Sequence, residues 1–311
     1  MKRREFIKTS STAALVAGFA GSVINPQTLF AASEVSEEDY KKYLKSVKKD
    51  VMRYACSGAL FLYLNRNFGY PKEDIALSTG SLSGGILQEG YQCGMLWGSS
   101  LALGAESYRR HKDHGKAVGM AILVTHHVMK SFSKRTKCIT CRDITNTDWS
   151  KKGNIPKYIL SGKMFKCLSI AKRWAPEAFH AANNGLSSKQ TELPEKPLSC
   201  ASEVAKKMGV SEEEVVMVAG LAGGMGLSGS ACGALGAAVW IKTMAWFNEY
   251  PENKNMYNPY ARETLKKFYD ETGSKMLCQD ICGKRFKSLT EHTEYVKNGG
   301  CAKLIDILAN S

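Results

Sequence analysis

The sequence predicts an all-α protein built from two tandem helical-bundle repeats related by pseudo-two-fold symmetry. Three observations carry this. Apolar residues recur at three- and four-residue steps through nearly the whole chain, and no alternating strand pattern stands out. Eight of the ten cysteines fall into two sets in the same order: Cys56, Cys93, Cys141 and Cys167, then Cys200, Cys232, Cys278 and Cys301. Their spacings are 37, 48 and 26 residues in the first set and 32, 46 and 23 in the second. The flanks repeat as well. GGILQEGYQCGMLWG and GGMGLSGSACGALGA put Gly84-Gly85 and Gly223-Gly224 in register ahead of a Cys-Gly, and Cys141-Arg-Asp-Ile matches Cys278-Gln-Asp-Ile. Thiols kept in register by a repeated unit point to a shared task.

Residues 1–32 read as a twin-arginine signal peptide. Arg3-Arg4 precedes Phe6-Ile7-Lys8, a mild apolar stretch runs from Thr12 to Ile24, and Phe30-Ala31-Ala32 offers a cleavage site. The stretch is short and Gly-rich for a membrane span. The expected location is therefore the periplasm, reached in the folded state. That route suits a protein whose cofactor is inserted before export.

The first repeat is expected at 33–185. Tyr43, Leu44, Val47, Val51, Tyr54, Ala55 and Leu62 mark one face of a helix from Glu37 to Asn65, stopped by Phe68-Gly69-Tyr70-Pro71. A short helix from Lys72 to Ser81 leads to a flexible stretch at Ser83-Gly84-Gly85. Long helices follow, from about Tyr91 to Arg110 with Cys93 in its first turn, and from Gly115 to Lys134. After a Cys138/Cys141 corner, helices are expected over Ile155–Lys163 and Cys167–Ala182. Asn-Asn-Gly and two prolines make the stretch up to Pro197 the best linker, with its core at 186–197. The second repeat, 198–311, runs the same programme. Its helices are Leu198–Met208, one opened by a capping box at Ser211 to Glu214, Ala231–Tyr250 with Cys232 in its first turn, and Tyr257–Leu277. A Cys278/Cys282 corner and a last helix opened by Cys301 follow.

The formal charge is +14. Removal of residues 1–32 takes away Lys2, Arg3, Arg4, Lys8 and Glu5, leaving about +11. Such a surface steers acidic partners and suits anionic lipid headgroups. No RNA- or DNA-binding motif and no interleaved aromatic and basic patch appears, so nucleic acid is not an expected partner. No later segment has the roughly 18 uninterrupted apolar residues of a span, and the mature chain is expected to be soluble. Paired catalytic carboxylates, a serine triad and a Walker loop are all lacking from the sequence, and Gly220 to Gly229 has no Lys-Ser/Thr of a phosphate cradle. An electron carrier or redox subunit is expected rather than a stand-alone enzyme.

Thiolate, not thiol, binds metal. Cys93 and Cys232 each follow a glycine-rich loop and open a helix, where free N–H groups and the positive end of the helix dipole favour the anion. Four thiolates suit an iron–sulfur cluster or a tetrahedral Zn²⁺. The spacings are longer than those of ferredoxins or zinc ribbons. Cys138-Ile-Thr-Cys141 is a C-x-x-C pair able to act as a redox dithiol. Arg142 rather than His follows it, so covalent haem is not expected. Cys138 and Cys282 are one extra thiol per half, each a substitute ligand, a labile disulfide partner or inert. The six histidines have no duplicated pattern and are not expected to be ligands.

With its Cys-Gly-Ala-x-x-Gly signature, the four-cysteine unit resembles the C-GCAxxG-C-C family of redox-active proteins, related to a domain of split-Soret cytochromes. The resemblance covers nearly all of the mature chain as two copies, departing once per copy, at Met95 and at Ala237. It implies ligands at Cys56, Cys93, Cys141, Cys167, Cys200, Cys232, Cys278 and Cys301, and iron–sulfur clusters of unspecified nuclearity. The leading expectation is an exported iron–sulfur electron-transfer protein. It would pass electrons to an acidic redox partner such as a cytochrome or a membrane redox complex. The alternatives are a periplasmic thiol–disulfide protein using Cys138 and Cys141, and a binding module stabilised by disulfides or zinc. If the quartets are sites, each converges near its Gly-Gly loop, with Cys138 and Cys282 at the edges.

Overall fold

One long apolar periodicity becomes two helices in space. In the computed structural model, α1 (Glu37–Phe68) is broken at Ala55, whose backbone is left-handed (φ 57°, ψ −173°), and a second helical run starts at Cys56. The sequence pattern expected a single helix there. The break makes the first repeat resemble the second, where α8 (Cys200–Lys207) likewise opens on a cysteine. The structure describes residues 37–149, 151, 153–187 and 193–311. The twin-arginine segment lies outside the described residues, as does the stretch 188–192 of the expected linker.

Between them run α2 (Glu73–Ala76), a 3₁₀ turn (Ser78–Leu82), α3 (Gly94–Arg110), α4 (His114–Thr136), α5 (Cys141–Thr145), α6 (Asn154–Leu160) and α7 (Lys163–Ser187). After α8 come α9 (Glu212–Met217), a 3₁₀ turn (Ala219–Leu221), α10 (Gly233–Glu249), α11 (Pro259–Thr272), α12 (Cys278–Cys282), α13 (Leu289–Lys297) and α14 (Ala302–Ala309). No extended strand occurs among the described residues, only single bridges at Gln92–Thr140 and Ala231–Leu277. The all-α expectation and its two repeats stand.

Local chemistry sets the helix starts. The capping box expected at Ser211 forms with Glu214. Asp113 and Asn258 cap α4 and α11 through Lys116 N and Ala261 N, each such cap contributing about 1 kcal/mol. Three boundaries differ from expectation. Cys93 and Cys232 are N-caps, not first-turn residues. α7 begins earlier and runs through Asn-Asn-Gly to Ser187, because packing of Gly185 on Val124 and His127 overrides the weak local propensity. α13 was not foreseen.

The first repeat packs α1, α3, α4 and α7 together; the second packs α8, α10, α11 and α14. The repeats interlock rather than abut. α3 lies on α9 of the second repeat, and α10 lies on the 3₁₀ turn 78–82 of the first. Trp240 Nε1 donates to Ser78 Oγ at 2.9 Å. Gln92 accepts from Ala231 N at 3.0 Å and donates to Gly224 O at 3.3 Å. One core, including the buried Trp97, Trp174 and Trp240, is shared by both repeats.

Candidate thiol centres

The stretch expected to be flexible at Ser83-Gly84-Gly85 runs into a left-handed turn, and the second repeat has its counterpart. Gly84, Gly85, Ile86, Leu87 and Gln88 all have positive φ, and so do Gly223, Gly224, Met225, Gly226 and Leu227. The two turns share one hydrogen-bond pattern at an offset of 139 residues: Ile86 N to Leu82 O and Met225 N to Leu221 O, Gly90 N to Gly84 O and Gly229 N to Gly223 O. Left-handed backbone costs a non-glycine residue about 1–2 kcal/mol, and runs of it are rare. Burial of Ile86 and Met225 in the core offsets that strain.

Each turn feeds a backbone clamp that joins two cysteines. Cys93 N donates to Ile139 O at 2.8 Å, and Arg142 N to Gly90 O at 2.9 Å. Cys232 N donates to Met276 O at 2.9 Å, and Cys278 N to Ser230 O at 2.7 Å. The cysteines therefore sit at helix starts. Cys93, Cys232 and Cys301 are N-caps; Cys141, Cys200 and Cys278 are first helical residues. Backbone N–H groups reach the sulfur at Cys56, Cys200 and Cys232.

In the first repeat, Cys56, Cys93, Cys141 and Cys167 come together. The Cys56 thiol is held near pKa 6, chiefly by a hydrogen bond from Cys93 and further by Ser83 and the Gly84 N–H, against the effect of burial. Cys93 is pushed up by that hydrogen bond, by burial and by the charges of Cys56, Cys141 and Cys167. Burial, then Cys56 and Cys167, raises Cys141, with Thr145 and Trp149 opposing. Cys167 is raised to about 11 by burial and accepts from Tyr158 Oη at 3.2 Å. Tyr257 of the second repeat also faces this group: burial and the charges of Cys56 and Cys141 push its hydroxyl up.

In the second repeat, Cys200, Cys232, Cys278, Cys282 and Cys301 line one cavity with Phe286, His292 and Tyr295. Burial raises Cys200 to about 11, with the Gly223 N–H opposing, and Cys232 to about 12, with the Leu235 and Ala234 N–H groups opposing. Cys282 Sγ lies 3.8 Å from Cys278 Sγ and 3.9 Å from Cys301 Sγ. Hydrogen bonds from Cys278 and then Cys301 lower Cys282, and both donors are raised in turn.

The two extra thiols are therefore not equivalent. Cys282 is inside its group. The Cys138 thiol contacts Thr136 O at 3.8 Å, and burial and Asp143 raise its pKa while Lys166 opposes them. The C-x-x-C sequence places Cys138 and Cys141 close in the chain, but Cys141 is turned into the buried group. All ten cysteines are free thiols.

Sequence reasoning missed three residues at these centres: Tyr158, His292 and Tyr257. Tyr158 and His292 each stand nine residues before the last cysteine of their repeat. That common offset was a usable signal, hidden because the residue types differ. His292 Nδ1 lies 3.2 Å from Leu198 O, and burial lowers its pKa to about 4. Tyr257 reaches the first centre only through the interlock, which no spacing encodes.

Gly94 shows how closely backbone approaches the first centre: a Cβ there would lie 2.6 Å from Cys56 Sγ. Thiol donors, N–H groups aimed at sulfur and tight backbone suit a metal–sulfur group. Yet no set of three or more His, Cys, Asp or Glu among the described residues is gathered closely enough to hold a single ion.

No curated protein and no solved structure shows a match to the chain. Residues 54–176 and 199–310 each match the family described as "putative redox-active protein (C_GCAxxG_C_C)". The chain thus belongs to this redox-active family, as two tandem copies of its unit.

Proposed function

We propose that the protein is an exported electron carrier whose two thiol groups each hold an iron–sulfur cluster. The observation that carries this reading is the pairing of cysteines from separate helices by the same clamp in both repeats. Cys56, Cys93, Cys141 and Cys167 would be the ligands in the first repeat; Cys200, Cys232, Cys278 and Cys301 would be those in the second. A bound cluster supplies one-electron transfer.

The chain's own residues do the rest. Backbone N–H groups of Gly84 and Gly223 point at Cys56 and Cys200 and stabilise negative sulfur. Tyr158 donates to Cys167, which lowers electron density on that ligand. Burial of Cys93, Cys141, Cys232 and Cys278 limits water. A multi-iron cluster holds its thiolates roughly 6–7 Å apart, whereas tetrahedral Zn²⁺ draws four sulfurs to about 2.3 Å from one point, so metal analysis separates the two.

Electrons would pass to an acidic partner. Ile159, Leu160 and Phe165 are exposed apolar side chains beside exposed Lys157 and Lys166, and this tip adjoins Cys167 in the chain. An apolar centre with a charged rim is the anatomy of a transient docking face.

The test is anaerobic purification of the chain without residues 1–32, with iron and acid-labile sulfide measured. The expected product is brown, with both elements bound. Colourless protein carrying zinc, or no metal, overturns the reading. Export is tested separately: Arg3→Lys with Arg4→Lys should retain the protein in the cytoplasm, and unchanged fractionation would reject the twin-arginine route.

A further inference from the structure

We propose that Cys282 and Cys301 form a reversible dithiol–disulfide couple, present in the second repeat alone. This goes beyond the cluster reading. Because Cys301 is one of the ligands proposed there, closing the pair would take a ligand from the second centre and leave the first intact.

The two sulfurs stand 3.9 Å apart and their residues are 19 positions apart in the chain. A disulfide needs about 2.05 Å, so the gap to close is slightly under 2 Å. The neighbouring backbone can supply it. Cys282 ends α12 and is followed by Gly283 in a left-handed C-cap. Cys301 caps α14 and is preceded by Gly299, also left-handed. A Cβ at Gly283 or at Gly299 would meet nothing within 4 Å, whereas one at Gly300, next to Cys301, would lie 2.3 Å from the Tyr295 ring, so the room to shift is on the Cys282 side.

Exposure selects the pair. Cys282 and Cys301 are both partly exposed, whereas Cys278, the other neighbour of Cys282, is buried. Cys278 and Cys282 also share one short helix, so joining them would strain that turn. In the first repeat the extra thiol, Cys138, instead contacts Thr136 O at 3.8 Å.

The oxidant is a low-mass disulfide, RS–SR. Cys282 sulfur attacks one of its sulfurs, the S–S bond breaks, and one RSH leaves. Cys301 sulfur then attacks Cys282 sulfur in the mixed disulfide, and the second RSH leaves. The protein loses two protons and two electrons, and the low-mass disulfide gains both.

The experiment uses the full-length chain, metal-free, in mixtures of reduced and oxidised glutathione, followed by alkylation of free thiols and peptide mapping by mass. The expected result is a Cys282–Cys301 crosslink that appears before any other. It should titrate with the glutathione ratio, disappear on reduction and be lost in Cys282→Ser. The wild-type map decides the matter even if that variant folds poorly. Both thiols alkylated throughout, another pair closing first, or a crosslink that does not reverse would overturn the proposal. Because no iron enters the assay, its outcome is independent of the iron and sulfide measurement.

Discussion

A cysteine at a helix start is chemically different from one in a helix interior, and most of the thiols here are at starts. Cys56 shows the consequence: despite burial it is held near pKa 6 by Cys93, Ser83 and the Gly84 N–H. Ser83→Ala removes one donor to the thiolate, so the Cys56 pKa should rise. The pH profile of Cys56 alkylation in the metal-free chain checks this; an unchanged midpoint would remove Ser83 from the account. His126 makes a separate prediction. Its Nδ1 lies 3.0 Å from Gly226 O, and burial lowers its pKa. The unfolded chain therefore takes up this proton first, near pH 6.5. The stability that His126 contributes is complete above that pH and declines as pH falls toward the lowered folded value. Urea unfolding at about pH 7.5 and about pH 5 should show the loss, and His126→Asn should shrink the difference. The cysteine positions were readable because thiols are rare and the set is duplicated. The unlike fates of Cys138 and Cys282 were not. Which way a side chain faces at a corner depends on the chain packed beside it.

At the scale of elements, the left-handed turns 84–88 and 223–227 are the parts that sequence periodicity could not describe. Gly-Gly advertised freedom, and the expectation was flexibility. Tertiary hydrogen bonds and buried Ile86 and Met225 fix both turns instead. The close approach at their second glycine is severe. A Cβ on Gly85 would lie 2.3 Å from Tyr91 N, and one on Gly224 2.5 Å from Ser230 O, both backbone atoms. Gly85→Ala and Gly224→Ala should each destabilise the protein by about 1–3 kcal/mol or more. Each should also loosen its own clamp, so that metal-free Gly85→Ala exposes Cys141 to alkylation and Gly224→Ala exposes Cys278. Equal exposure of both cysteines in either variant would contradict the pairing of one turn with one centre. The helix runs themselves were well signalled, since amphipathic spacing and caps such as Ser211 are local. The kink at Ala55 was not, because the apolar spacing continues across it.

Taken whole, the molecule is a duplication whose halves have become mutually dependent, and that dependence yields the last prediction. Repeated cysteines and flanks announced two units, and two units normally suggest two separable bundles. The packing denies it. A Cβ on Gly104 of α3 would lie 2.4 Å from Met217 Cα of α9, and one on Gly236 of α10 would lie 2.2 Å from Trp97 of α3. Trp240 is anchored on Ser78, Tyr269 Oη donates to Glu89 at 2.7 Å, and Tyr257 reaches the first thiol group. Cutting between the repeats would strip buried aromatic surface from both, at roughly 25 cal/mol for each Å² uncovered. Neither 33–185 nor 198–311 should therefore fold alone, and the intact chain should unfold in one step. Far-ultraviolet circular dichroism and tryptophan fluorescence should trace coincident urea curves for the metal-free protein. Gly104→Ala should move both curves together, because its contact belongs to the seam and not to one bundle. Two separated transitions, or a soluble helical product from either half expressed alone, would show that the shared core is not what holds the fold.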